Sequence, residues 1–209
     1  HHGYITRVKA AIEFLGNDSS KLEVLLSQMV QLLKGGEPYK MSKRKGNVIL
    51  MSEITEEIGS DALRFIFLTK KSDTHLEFDI DTLKNQDSSN PIFYINYAHA
   101  RINQVFVKAG VNFEDIKDIS FEKLNQDGLN LVYESLLLES ILVEAFAKRD
   151  MQKITEYLCN LASSIHKFYN EHKIIGSDEQ NLYLKVLSIA ALSIKVGLKL
   201  LGIEAKEIM

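Results

Sequence analysis

With 209 residues, 45% of them hydrophobic, and a formal net charge of −3, the chain can bury one sizeable core or two smaller ones and has no overall basicity. Any nucleotide or nucleic-acid partner must therefore be met by local clusters of cations. The single cysteine, Cys159, excludes an internal disulfide and sits in a helical pattern as a buried, inert thiol, which fits a reducing cytoplasm. No apolar run is read as reaching the ~18 residues of a membrane span, and no signal peptide opens the chain.

In chain order, Thr6 to Leu15 is expected to be an amphipathic helix capped by Thr6. Val8, Ala11, Ile12 and Leu15 fall on one stripe and Gly16 is the stop. Leu22, Val24 and Leu26 alternate as in a strand, and Gly35-Gly36 suggests a hairpin leading into a basic run. That run, Lys40-Met41-Ser42-Lys43-Arg44-Lys45-Gly46-Asn47, crowds four cations around a serine and ends near a glycine. Such a loop suits polyphosphate, because ammonium groups meet anionic oxygens and glycine lets the backbone come close. By itself the run also suits a solvated basic turn or a nuclear-localisation-like patch.

Beyond it, Ser52 is the expected N-cap of a short helix ending at Gly59, and Ser60 that of a second helix over 61–71. Residues 72–89 are polar and aperiodic, a connection between two parts. Four long helical patterns follow and predict an antiparallel bundle. The first starts at Asn90-Pro91 and ends at Gly110, and the second spans Leu129 to Lys148 after a polar stretch. The third spans Met151 to His172, with Ile154, Leu158, Leu161, Ile165 and Phe168 on its core face. The fourth runs from a capping box at Ser177 to Gln180 as far as Gly202, with Leu184, Leu187, Ala191, Ile194, Leu198 and Leu201 as its buried stripe.

In the first of these helices, Ile92, Ile95, Ala98, Ile102, Val105 and Ala109 form a core stripe. Tyr94, Tyr97 and Arg101 share a different face. Two phenols and a guanidinium in line can stack unpaired bases and catch phosphate, and Tyr169 on the third helix could join them. The same spacing also suits half-buried tyrosines with wet hydroxyls. His99 reads as a packed histidine rather than a proton shuttle.

These segments together resemble a known family. Lys40-Met41-Ser42-Lys43 resembles the KMSK signature of class I aminoacyl-tRNA synthetases, and Asp61-Ala62-Leu63-Arg64 is the DALR string of their helical anticodon-binding domain. Either alone would leave cysteinyl and methionyl enzymes open. Three further features resemble the arginyl branch: His1-His2-Gly3-Tyr4, the Asn90-Pro91 to Arg101 helix, and the ending on Met209. His1-His2-Gly3 also has the composition of a tag remnant, but its fit to the motif favours native residues.

The resemblance implies a mostly α chain: the C-terminal end of a Rossmann-like α/β catalytic domain over residues 1–72, then an all-α anticodon-binding bundle over 73–209. It implies ATP-dependent ligation of arginine to tRNA(Arg) through arginyl-adenylate, with Mg²⁺ sharing the phosphate charge. Lys43, assisted by Lys40, would stabilise the pyrophosphate leaving group. His1, His2, Gly3, Met41 and Ser42 would lie at the nucleotide. Tyr94, Tyr97, Arg101, Tyr169 and Met209 would contact the anticodon loop. A monomeric cytoplasmic enzyme with no membrane partner is expected. The family's HIGH motif and its arginine-selecting residues are not found, so the chain reads as the C-terminal portion of an enzyme, not expected to aminoacylate by itself. A non-catalytic tRNA-binding module, or another class I synthetase such as the cysteinyl enzyme, is the alternative.

Overall fold

The computed structural model describes residues 2–39 and 49–209. The basic run at 40–48 and His1 lie outside the described residues. Two hydrophobic cores form among the described residues, a small one under a three-stranded sheet and a large one inside a helical bundle.

The first helix, α1 (His2–Phe14), begins earlier than Thr6 and ends as expected before Gly16, which takes φ +80°. None of its residues is buried, and Val8 and Leu15 on the expected stripe are exposed, since nothing among the described residues packs over them. Strand β1 (Val30–Lys34) pairs antiparallel with β2 (Glu37–Pro38), so the expected hairpin forms, with Lys34 opposite Glu37. Gly35 and Gly36 both take positive φ, as a two-residue turn of this kind requires. The alternating stretch at 22–26, in contrast, is not a strand.

Helix α2 (Met51–Ile58) starts one residue before the predicted cap. Leu50 holds the cap position, and the Glu53 carboxylate accepts its N–H at 3.0 Å, leaving Ser52 in the first turn. Helix α3 (Ser60–Leu68) stops short of Lys71 because Thr69 donates both its N–H and its hydroxyl to the Ile66 carbonyl. The 72–89 stretch, expected to be an aperiodic connection, holds strand β3 (Leu76–Asp79), parallel to β1 with Leu33 opposite Asp79. Its cue is a short alternation, Leu76, Phe78 and Ile80 inward with Glu77 outward, too brief for a helix-length window to register. Ile54, Leu63, Leu76, Phe78, Ile80 and Leu83 make the small core.

Helix α4 (Pro91–Ala109) forms as predicted. The Asn90 side chain accepts the Phe93 N–H, Pro91 fills the first turn, and Gly110 closes the helix at φ +64°. One short turn, α5 (Phe113–Ile116), lies in the polar stretch that follows. The helix expected over 129–148 is two: α6 (Gln126–Leu136) and α7 (Leu138–Lys148). Near the break, the Ser135 carbonyl accepts hydroxyls from Tyr157 at 2.8 Å and Ser193 at 3.0 Å, partners from distant helices that compete with a continuing ladder.

Helix α8 (Gln152–Glu171) buries the expected Ile154, Leu158, Leu161, Ile165 and Phe168. Helix α9 (Gln180–Leu200) starts later than the Ser177 box, whose residues close the preceding turn instead: Ser177 donates to the Ile174 carbonyl and the Gln180 side chain accepts the Gly176 N–H. By length and composition α9 is apolar enough to cross a membrane, contrary to the sequence expectation, yet it packs against α4, α6 and α8 as the central helix of the bundle. Helix α3 is the wall between the cores: Ala62 and Phe65 enter the large one, Leu63 the small one. Burial pushes the Cys159 thiol up to about 11, so it stays protonated and unreactive at neutral pH.

Candidate nucleic-acid interface

Helices α4 and α8 lie side by side, and their facing residues assemble the aromatic surface that the spacing on α4 predicts. The Arg101 guanidinium sits 3.7 Å from the centroid of the Tyr169 ring and 5.8 Å from that of Tyr97. Both lie within cation–π range. Its Nη2 also approaches Asn170 Oδ1 at 3.5 Å. Tyr97 is 42% exposed, whereas Tyr94 and Tyr169 are half-buried at the margin of the large core. The tyrosines thus combine both sequence readings, with inner edges packed and outer surfaces wet.

Two members of this surface escaped the sequence reading. His166 places its ring 4.4 Å from Tyr94 and 5.4 Å from Tyr97, nearly parallel to the latter. Phe93 lies parallel to Tyr97 at 6.2 Å. The usable signal was positional: His166 precedes Tyr169 by three residues on α8, the spacing that joins Tyr94 to Tyr97 on α4. Burial lowers the His166 pKa below its usual value, and the nearby Arg101 cation acts in the same direction, outweighing a hydrogen bond to the Tyr94 carbonyl. The imidazole is therefore neutral at neutral pH.

The last nine residues fold back over α4. Ile203 is buried, the Lys206 N–H donates to Asn96 Oδ1 at 2.9 Å, and His99 Nδ1 donates to the Lys206 carbonyl at 2.9 Å. A carbonyl can only accept, so His99 carries its proton on Nδ1. His99 is indeed a packed, hydrogen-bonded histidine, and Asn96 beside it clamps the same backbone unit from the other side. Gly202, at φ +71°, lets the Arg64 guanidinium of α3 approach the turn where α9 ends. Met209 is exposed and shares a cleft of about 420 Å³ with Phe93, Asn96, Asp61, Lys84 and Lys206, next to the aromatic surface. Replacing His99 by alanine should cost about 1–3 kcal/mol in urea denaturation, because a buried ring is removed and the Lys206 carbonyl loses its donor.

Lys40, Met41, Ser42, Lys43 and His1 fall outside the described residues. His2 and Gly3 form the exposed first turn of α1. The described flanks of the basic run are held from several sides. Tyr39 N–H bonds to the Leu32 carbonyl at 2.8 Å, and the Asp79 carboxylate accepts the Gly36 N–H at 2.5 Å and the Asp81 N–H at 2.9 Å. These backbone donors hold the Asp79 pKa below the ordinary carboxylate value. Glu57 on α2 accepts from Lys34 of β1 at 2.8 Å and from Lys84 at 2.5 Å, tying the strand before the run to the helix after it.

The bundle of α4 to α9 is the all-helical part of the fold, and the chain belongs to the DALR anticodon binding domain family, matched over residues 95–209. More particularly, it is 99% identical over its 209 residues to the arginine–tRNA ligase of Aliarcobacter butzleri (strain RM4018), covering 40% of that protein. It is 62% identical to the arginine–tRNA ligase of Campylobacter lari, covering 39% of it. Among solved structures, an arginyl-tRNA synthetase from Campylobacter jejuni matches all of the chain at a TM-score of 0.94 and 60% identity, over 46% of its own length. The arginyl-tRNA synthetase of Thermus thermophilus, at 22% identity, matches 97% of the chain and 38% of its own at a TM-score of 0.74, a likeness of fold. The chain spans about two fifths of the length of the curated relatives it matches.

Proposed function

We propose that the chain is the C-terminal part of an arginine–tRNA ligase, which joins arginine to tRNA(Arg) at the expense of ATP through arginyl-adenylate. What supports this most is the Tyr97–Arg101–Tyr169 surface on a chain 99% identical to a protein of that name. Residues 1–72 would close the catalytic domain and 73–209 would form the anticodon-binding part, with β3 of the second segment built into the sheet of the first. Lys43, with Lys40, would neutralise charge on departing pyrophosphate. Met41, Ser42, His1, His2 and Gly3 would line the nucleotide. Mg²⁺ would share the negative charge of the ATP phosphates with these lysines. The enzyme would act as a cytoplasmic monomer.

Tyr94, Tyr97, Arg101, Tyr169 and Met209 would meet the anticodon loop. Loop bases are unstacked and can lie against aromatic rings and guanidinium planes, each stack contributing about 1–3 kcal/mol. The test is Tyr97→Ala in the complete ligase. The KM for tRNA should rise by about tenfold or more while far-UV circular dichroism is unchanged. Loss of helicity would show instead that Tyr97 serves the bundle.

A further inference from the structure

We infer that His166 is a positioning residue for this surface: its ring sets the orientation of Tyr97 so that the exposed phenol is already in place when a nucleic-acid base arrives. The inference rests on the proposed reading of the surface and adds a residue that none of the motifs contains.

The geometry supports it from three directions. Tyr97 stands 42% exposed, and a ring that far from the bundle has few neighbours to select its rotamer. Its closest ring neighbour on another helix is His166, at 5.4 Å and 24° from parallel; Phe93 and Arg101 both belong to its own helix. His166, in contrast, is only 7% exposed and follows the fully buried Ile165. It also touches the Tyr94 ring at 4.4 Å, and its Nε2 lies 3.4 Å from the Tyr94 carbonyl. It is a fixed wall, and Tyr97 leans on it.

Pre-setting a side chain removes an ordering cost of about 0.5–1.5 kcal/mol from binding. An aromatic pair adds about as much again beyond its buried area. An unprotonated imidazole suits the task, because it offers a flat uncharged face while standing next to the Arg101 cation. His166 has this effect without touching the ligand. Its accessible area is too small to give a base much to stack on.

The experiment is a double-mutant cycle on tRNA charging by the complete ligase, with ATP–pyrophosphate exchange in the presence of tRNA measured alongside. His166→Ala should raise the KM for tRNA about tenfold, the equivalent of one stacked pair and its ordering, with kcat and the exchange rate at saturating tRNA unchanged. His166→Phe, which keeps a flat ring at the same place, should restore most of the affinity. In a Tyr97→Ala background, His166→Ala should cost little more, because the ring it positions is gone. The inference is overturned if the two losses add, since His166 then acts independently of Tyr97. It is equally overturned if His166→Phe is as impaired as His166→Ala, or if His166→Ala leaves the KM unaltered. Should Tyr97→Ala by itself leave the KM for tRNA unaltered, the anticodon reading of the surface fails, and this inference fails with it.

Discussion

Replacing Lys43 by alanine in the complete ligase is expected to slow arginine-dependent ATP–pyrophosphate exchange by about 10²–10³-fold, the usual cost of deleting one preorganised charge partner of a transition state. In the proposed reaction, attack of the arginine carboxylate on the α-phosphorus would drive negative charge onto the departing pyrophosphate. An ammonium group that meets this charge as it develops lowers the barrier more than it tightens ATP binding. The fall should therefore appear in kcat, with the KM for ATP changing less. On the proposed reading affinity for tRNA should not change, because the residues proposed to meet it, Tyr97, Arg101 and Tyr169, lie on α4 and α8. Unaffected exchange would overturn the role proposed for Lys43, whereas absence of exchange in the unsubstituted complete protein, with tRNA still bound, would leave a binding module and the ligase reading would fall.

The largest expected effect on stability lies at Leu158. Its side chain is fully buried in the large core and fits against Gly197 of α9, where an added Cβ would come within 2.7 Å of Leu158 Cδ2. Leu158→Ala should lower the free energy of unfolding by about 2–5 kcal/mol in urea denaturation, and toward the upper end, because glycine leaves no side chain on α9 to relax into the void. Gly197→Ala alone should be mildly destabilising, by about 1 kcal/mol, as the crowding of Leu158 outweighs the better helix propensity of alanine. Combined, the two substitutions should be less harmful than their sum, since the new methyl fills part of the cavity. Strict additivity would show that the helices do not meet at this pair.

What sequence patterns alone determined here is local in origin. The caps and stops of α4, the buried stripes of α4, α8 and α9, and the alignment of Tyr94, Tyr97 and Arg101 follow from 3.6-residue periodicity and from what Asn, Pro and Gly do at helix ends. The Gly35-Gly36 hairpin is legible for the same reason, because a turn needing positive φ names its own residues. Motif strings tied these pieces to a family, and the match over 95–209 agrees with them.

Tertiary structure decided everything that depends on partners far along the chain. Strand β3 exists because β1, more than forty residues earlier, offers it a parallel edge. The helix after Leu129 breaks where hydroxyls of Tyr157 and Ser193 take the Ser135 carbonyl. His166 joins the tyrosines because α8 packs on α4, and Asn96 and His99 are buried because the terminal segment needs two hydrogen-bond partners for Lys206. The stripe on α1 shows the converse, a sound helical pattern with nothing among the described residues to bury it. Periodicity reports which face of an element can be buried, but which surface buries it is a free-energy balance between distant segments that no single window of sequence contains.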